Sequence, residues 1–74
     1  MRLSELARDQ SARVVRIDGD GEVSCRLMEM GLTPGVTVRL LGSAPFGDPL
    51  EFEVRHYRLS LRKSEAALVE IEPA

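Results

Sequence analysis

The chain has 74 residues, 43% of them hydrophobic and 30% charged, which is typical of one small folded domain rather than of a disordered segment. Its net charge of −2 supplies no basic field for nucleic acid, and aromatic side chains for base stacking amount to only 4%. Because a domain of this length has a thin core that cannot enclose a large cavity, the composition also argues against an enzyme.

Cysteine content and hydropathy indicate the compartment. The only cysteine, Cys25, cannot form a disulfide within the chain. The N-terminus becomes charged within a few residues, so it lacks the apolar segment of a signal peptide, and no stretch approaches the roughly 20 apolar residues of a membrane helix. We therefore predict a single cytoplasmic domain, residues 1–74, with no direct membrane insertion, so that any membrane role requires a partner.

The first elements of the chain are predicted to be a helical turn and a strand. Leu3 and Leu6 lie three residues apart in a polar segment, as in one short helical turn or arm whose leucines fill an end of the core. Residues 12–17, ARVVRI, are rich in β-branched side chains and predict a strand. The following sequence, DGDG, is poorly tolerated in strands, so the strand ends there in a loop.

The one predicted α-helix covers residues 22–30. Its core-facing side chains recur with helical spacing and are Val23, Leu27 and Met30. Asp20 is suited to be the N-cap, and Gly31 is suited to end the helix with a left-handed residue. Arg26 lies beside the apolar face, and its guanidinium is expected to reach a carboxylate such as Glu29 or one on the barrel.

The rest of the chain is predicted to be mainly β structure. Apolar and polar residues alternate in three segments, residues 36–41, 50–55 and 57–62. A helical turn is expected at residues 63–66, and Val69 and Ile71 indicate a last short strand. Short strands in so small a chain can share a core and hide their edges only by curling up. The predicted fold class is therefore mainly β, a small SH3-like five-stranded barrel with one short α-helix inserted after the first strand.

A tight turn at Arg55 and His56 determines the predicted register of two of these strands. The core-face pairs are Leu50 with Leu61, Phe52 with Leu59, and Val54 with Tyr57. On the solvent face Glu53 lies opposite Arg58, so the charges agree with the packing. We expect His56 to take a positive φ in this turn, and the substitution His56→Gly to stabilise the fold.

Candidates for metal binding and catalysis are few. Cys25 and His56 are the only thiol and the only imidazole, which are too few ligands for a protein-only iron site. The acidic residues at positions 18, 20, 22 and 29 match part of an EF-hand spacing, but Val23 stands where that loop needs glycine. Met28 and Met30 lie on different helix faces, and no phosphate-binding or nucleophile motif occurs. We predict no catalytic residue, no metal site and no cofactor.

Three segments of the chain, in this order, resemble the motifs of one known family. Residues 26–35, RLMEMGLTPG, resemble the signature R-L-x-E-x-G-L-x-P-G. Residues 44–50, APFGDPL, resemble the segment A-P-x-G-D-P, and residues 57–66, YRLSLRKSEA, resemble Y-x-L-x-L-R-x-x-E-A. These motifs are those of the FeoA family, small cytosolic proteins of bacterial ferrous-iron uptake. The resemblance extends over residues 3–71 and implies an SH3-like barrel with a helix after its first strand.

This resemblance implies a non-enzymatic protein-interaction module that acts on the cytosolic part of FeoB, a membrane transporter of ferrous iron with a GTP-binding domain. One alternative is the SH3-like accessory domain of diphtheria-toxin-repressor-like regulators, but the chain begins at Met1 with no helix-turn-helix pattern before it. A third alternative is a metal-binding shuttle, which predicts stoichiometric iron on the purified protein. The oligomeric state and the effect on GTP hydrolysis, assembly or gating stay open.

The sequence departs from the family pattern at two turns. Asp9-Gln10 stands where a Pro-Gly turn is common, and His56 stands where the hairpin turn commonly has glycine. Both positions affect local backbone geometry, and neither affects the predicted function.

A partner-binding patch is predicted from helix geometry. At about 100° per residue, a helix whose other side faces the core directs Cys25 and Met28 outward. Leu41 faces outward on its strand, and Leu32 leaves the helix end. We predict that Cys25, Met28, Leu32 and Leu41 form an apolar docking patch. The alternatives are that Leu32 closes the barrel mouth and that docking uses the charged outer strands.

Overall fold

Five strands, two α-helices and a 3₁₀ turn make up the computed structural model, which describes residues 1–74. In chain order they are the 3₁₀ turn Leu3–Glu5, β1 (Ser11–Ile17), α1 (Gly21–Glu29), β2 (Thr37–Ser43), β3 (Leu50–Val54), β4 (Tyr57–Leu61), α2 (Lys63–Ala66) and β5 (Val69–Pro73). Every predicted element is present, with bounds that differ from the predicted ones by two residues or fewer.

The five strands form one antiparallel sheet with the order β4-β3-β2-β1-β5. The register shifts between Val14 and Arg16 where β1 pairs with β5, and between Leu40 and Gly42 where β2 pairs with β3. Such irregularities bend a strand and increase its local twist, which lets a small sheet curl around its own core. The predicted mainly β fold, with a helix after the first strand, is confirmed.

Helix α1 lies across the gap between the two edge strands, β4 and β5. Just before the helix, the amide of Asp18 donates to the carbonyl of Leu68, which precedes β5, at 2.7 Å. In the middle of the helix Arg26 forms an ion pair with Glu65 of α2, and at its end the carbonyl of Met30 accepts a hydrogen bond from Tyr57 of β4. The helix therefore covers a side of the barrel that the strands leave unpaired.

The N-terminal residues pair with part of the edge strand β5. The amide of Ile71 donates to the carbonyl of Met1 at 2.8 Å, and Arg2 forms an isolated bridge with Glu70. Leu3, in the adjoining 3₁₀ turn, is fully buried. The predicted role of the N-terminal leucines in filling one end of the core is therefore confirmed.

The core consists of 17 buried residues, all of them apolar. Phe52 of β3 is the largest fully buried side chain. From α1 the core receives Leu27, which is also fully buried, whereas Val23 and Met30 are partly buried and pack against its rim. The predicted apolar face of the helix is confirmed, and Leu27 is its centre.

The β3–β4 hairpin has the predicted register, but its left-handed residue is not the predicted one. Val54 pairs with Tyr57 across a two-residue turn, Arg55 and His56, and Glu53 lies opposite Arg58. The positive φ, 57°, belongs to Arg55, so the expectation for His56 is wrong. A positive φ at the first central residue alone is the pattern of a type II′ turn, which also matches the strand twist of a hairpin.

The turn before β1 is likewise displaced by one residue. The amide of Gln10 donates to the carbonyl of Ala7 at 3.0 Å, which makes Arg8 and Asp9 the central residues of the turn. Asp9 takes the left-handed conformation, with a φ of 67°. Aspartate tolerates this conformation better than most residues, which explains how the turn forms without glycine.

Candidate partner-binding surface

Helix α1 carries two of the four residues predicted to bind a partner. Cys25 is exposed and Met28 is 40% exposed, as predicted from the helix geometry. The start of the helix is fixed by Asp20, whose side chain accepts a hydrogen bond from the amide of Val23 at 2.9 Å. The predicted N-cap is therefore confirmed, and the outward face of the helix has a defined orientation.

Arg26 and Glu65 connect this helix to α2. The Arg26 guanidinium donates to the Glu65 carboxylate, so its partner is a residue of α2 and not Glu29 of the same helix. Glu65 also accepts a hydrogen bond from the amide of Arg62 at 2.9 Å and so closes the first turn of α2. The ion pair therefore joins α1 to α2, and the second contact orders the carboxylate that receives it.

Tyr57 fixes the other end of the helix. Its hydroxyl donates to the carbonyl of Met30, and it occupies the space where a side chain at position 31 would lie. Gly31 has a φ of 105°, so glycine is required there both by the backbone and by the close tyrosine. Tyr57 was predicted to face the core, yet it is 42% exposed. Its hydroxyl finds its hydrogen-bond partner at the end of α1, at the Met30 carbonyl, and not in the core.

Leu32 is fully buried, so its prediction as a partner-binding residue is wrong. Its amide donates to the carbonyl of Leu27 at 3.2 Å, and the amide of Gly31 donates to that of Met28 at 3.0 Å. This pair of bonds is a Schellman motif, which turns the chain back toward the helix and brings the residue after the glycine against the last core turn. The alternative, that Leu32 closes the barrel, is the correct one, and the Leu-Gly-Leu spacing of residues 27, 31 and 32 was the signal for it.

Leu41 lies on a different surface from Cys25 and Met28. It is partly buried and lines an open groove of about 550 Å³ over β2, β3 and β4, and no residue of α1 contributes to this groove. The groove also contains Arg8, Glu51 and Arg58. The four predicted residues therefore do not form one patch: two are on the helix, one is in the core, and one is in a polar groove.

The most exposed large apolar side chain was not among the predicted residues. Phe46 is 99% exposed, at the turn of the loop between β2 and β3. The sequence carried a signal for it, since Phe46 stands between Pro45 and Gly47 in a segment with strong turn propensity. An aromatic residue in such a turn has no strand or helix face through which to reach the core.

Asp18, between β1 and α1, and Glu70 of β5 are engaged in internal ion pairs. Asp18 accepts hydrogen bonds from Arg2 at 2.5 Å and from Arg16 at 3.1 Å, and these bonds hold the pKa of its carboxyl below the ordinary value. Glu70 lies 2.7 Å from the N-terminal ammonium group, whose hydrogen bond lowers the pKa of Glu70 in the same way.

No cluster of three or more His, Cys, Asp or Glu residues has the geometry of a metal site. None of the helices has the length and apolar character needed to span a bilayer.

The chain is similar to proteins of ferrous-iron transport along nearly its whole length. The model of the FeoA domain family matches residues 1–73. A Fe(2+) transport protein A/Fe(2+) transporter FeoB fusion protein of Porphyromonas gingivalis is 40% identical over 72 residues, or 97% of this chain. The chain spans only 8% of the length of that fusion protein.

Solved structures of FeoA proteins are similar to this chain, and so is the fold of a protein of another kind. The FeoA protein of Chlorobium tepidum is 34% identical with a TM-score of 0.91, over 99% of this chain and 70% of that one. A zinc complex of FeoA from Stenotrophomonas maltophilia, described as a prokaryotic SH3 domain protein, is 36% identical with a TM-score of 0.84, over 97% of this chain and 89% of that one. A manganese-dependent transcriptional repressor has a TM-score of 0.91 at 14% identity, over 100% of this chain and 36% of that one, which is a likeness of fold alone. Because the family model covers residues 1–73, the chain belongs to the FeoA family, and its fold is the SH3-like one that its motifs predicted.

Proposed function

We propose that this chain is a non-enzymatic interaction domain that acts on the cytosolic part of a FeoB-like ferrous-iron transporter. The observation that carries the proposal is the fusion protein of Porphyromonas gingivalis, in which a segment 40% identical to this chain belongs to the same polypeptide as FeoB. A covalent link holds two domains at high effective concentration. Two domains that are linked in this way can act on each other by contact.

The distribution of polar groups supports action by contact. All 17 buried residues are apolar, so the interior is devoted to stability, and the polar and charged side chains lie at the surface. Catalytic groups usually owe their reactivity to burial and to charged neighbours within a cleft. On this proposal the chain works in the cytoplasm as a single domain, residues 1–74, and holds no metal or cofactor of its own.

Cys25 and Met28 are the part of the predicted docking patch that the fold leaves accessible, and Leu41 is a separate candidate. The Arg26–Glu65 ion pair and the bond from Tyr57 to the carbonyl of Met30 connect α1 to the rest of the domain at its middle and at its end. A surface that is ordered before binding loses less conformational entropy when a partner covers it.

The test is retention of the purified chain by membranes that contain the FeoB-like transporter, compared with membranes from which its gene is deleted. We expect retention only where the transporter is present. Met28→Glu should reduce it without changing the circular-dichroism spectrum, and Leu41→Glu tests the strand groove in the same way. Equal retention of the wild-type chain by both membranes contradicts the proposal.

A repressor accessory domain is the second candidate function. Only the fold supports it, because the repressor with a TM-score of 0.91 shares 14% of its residues with this chain, whereas the segment fused to FeoB shares 40%. A gene for a large polytopic GTPase beside the gene for this chain favours the transporter, and a gene for a winged-helix regulator favours the repressor.

A further inference from the structure

Phe46 places a whole aromatic side chain in water. It is 99% exposed, whereas the other large apolar residues at the surface are 39% to 51% exposed. A turn needs no phenylalanine, because turn positions favour residues such as Gly, Asn, Asp and Ser for backbone reasons. Burial of a phenylalanine side chain stabilises a fold, and the exposed ring of Phe46 makes no such contribution here.

Two backbone hydrogen bonds close the loop that carries Phe46. The amide of Gly47 donates to the carbonyl of Ala44 at 2.8 Å, with Pro45 in the second position of the turn, where proline is favoured. The amide of Ala44 donates to the carbonyl of Pro49 at 3.0 Å and closes the loop at its base. Phe46 is therefore displayed on a closed turn that contains a proline.

A third contact fastens the loop to the rest of the domain. The side chain of Asp48 accepts a hydrogen bond from the amide of Lys63, at the start of α2, at 3.0 Å. Since the loop is anchored at its base and at this second point, a partner that binds Phe46 does not have to order it. Preorganisation of this kind lowers the entropic cost of binding.

Two cations that form no ion pair within the chain lie beside the loop that carries Phe46. The Lys63 ammonium group is next to Gly47, the residue after Phe46. Arg62 lines a groove of about 420 Å³ together with Asp48 and Pro49 of the same loop. Both cationic side chains are exposed, and neither forms an ion pair within the chain.

We infer that Phe46 is the anchor of a docking site for a protein, and that it inserts into an apolar pocket rimmed by carboxylates that pair with Arg62 and Lys63. An aromatic residue at the centre, surrounded by polar groups, is the usual arrangement of an interaction hot spot. The inference rests on the proposed function and assigns the docking face to the β2–β3 loop and the start of α2. On this inference the outward face of α1 is a secondary contact, so Met28→Glu should reduce retention less than Phe46→Ala does.

An anionic lipid surface is the less favoured occupant. Membrane-surface binding by charge needs a basic cluster, whereas the charges around this loop, Asp48, Arg62, Lys63 and Glu65, sum to zero. Discrete carboxylates on a protein can pair with the two cations and avoid the two anions. A bilayer surface cannot make that distinction, because its charge is spread over the whole plane.

The experiment measures the dissociation constant between the full chain and the detergent-solubilised FeoB-like transporter for wild type, Phe46→Ala and Val15→Ala. Val15, on β1, is 39% exposed and serves as the matched control for removal of an exposed apolar side chain. We expect Phe46→Ala to weaken binding about tenfold or more and Val15→Ala to change it by less than about twofold. Lys63→Glu should weaken binding and reduce its dependence on salt. Thermal unfolding of all variants should match wild type.

Each other outcome overturns a stated part of the inference. If Phe46→Ala binds the transporter as tightly as wild type, the docking site is wrong, while the proposed function stands. If the wild-type chain does not bind the transporter at all, both fail. Sedimentation with vesicles that contain phosphatidylserine is the comparison arm. Binding there that depends on Phe46, together with unchanged affinity for the transporter, assigns the side chain to lipid and overturns the protein pocket.

Discussion

The hydroxyl of Tyr57 donates a hydrogen bond to the carbonyl of Met30, and this bond fastens the C-terminal end of α1 to the start of β4. Between them lies Gly31, whose φ of 105° turns the chain back into the core. One side chain thus satisfies an otherwise unpaired helix carbonyl, covers a glycine and joins two elements that are far apart in sequence.

This relationship predicts that Gly31→Ala destabilises the domain by about 2 kcal/mol or more, because alanine meets both an unfavourable φ and the tyrosine hydroxyl. Gly21→Ala is the matched control, since a side chain at that position meets no neighbour within 4 Å and its φ is not positive. It should be neutral or slightly stabilising. Urea unfolding measures both.

The double variant Gly31→Ala/Tyr57→Phe separates the two causes. Tyr57→Phe alone should cost about 1 kcal/mol for the lost hydrogen bond. In the double variant the missing hydroxyl relieves part of the overlap, so the two effects should sum to more than the measured loss. Strict additivity contradicts the contact between these residues.

The hairpin predicts that Arg55→Gly stabilises the domain by up to about 1 kcal/mol, because Arg55 and not His56 has the left-handed backbone. His56→Gly should be neutral or destabilising, since glycine there only adds freedom to the unfolded chain. Melting temperatures of the two variants decide between the positions. A higher value for His56→Gly than for Arg55→Gly contradicts the observed turn.

Truncation of Leu32 should destabilise the domain far more than truncation of Met28. Leu32→Ala removes a fully buried side chain and should cost about 2 to 5 kcal/mol. Met28→Ala removes a side chain that is 40% exposed and should cost less than about 0.5 kcal/mol. Chemical denaturation measures both, and similar losses would show that the two residues share one environment.

Acid stability should depend on Asp18, whose pKa in the folded state is held down by its hydrogen bonds from Arg2 and Arg16. When unfolded, the same group titrates near about 3.9. A depressed folded pKa contributes stability above the unfolded value, and that contribution is lost as the pH falls through the folded value. At pH values below about 4 the melting temperature should therefore decrease as the pH is lowered. This decrease should be less steep in Asp18→Asn. Parallel pH profiles for wild type and variant contradict this role.

The secondary structure of this domain could be predicted from the sequence because its signals are local. The alternation in residues 50–55 and 57–62, with a two-residue turn between them, leaves one register in which apolar residues face apolar residues. The cap at Asp20 and the left-handed glycine at position 31 bound the one long helix. Three ordered motifs indicated the family.

The surface was decided only by tertiary structure, because exposure depends on what other parts of the chain cover. Leu32 and Phe46 are both apolar residues outside regular elements, yet the Schellman turn buries the first and a closed loop excludes the second from the core. Leu41 and Met28 are both accessible, but the curl of the sheet puts them on different surfaces. Local periodicity therefore determined which residues form helix and strand, and long-range packing determined which of the remaining apolar residues a partner can reach.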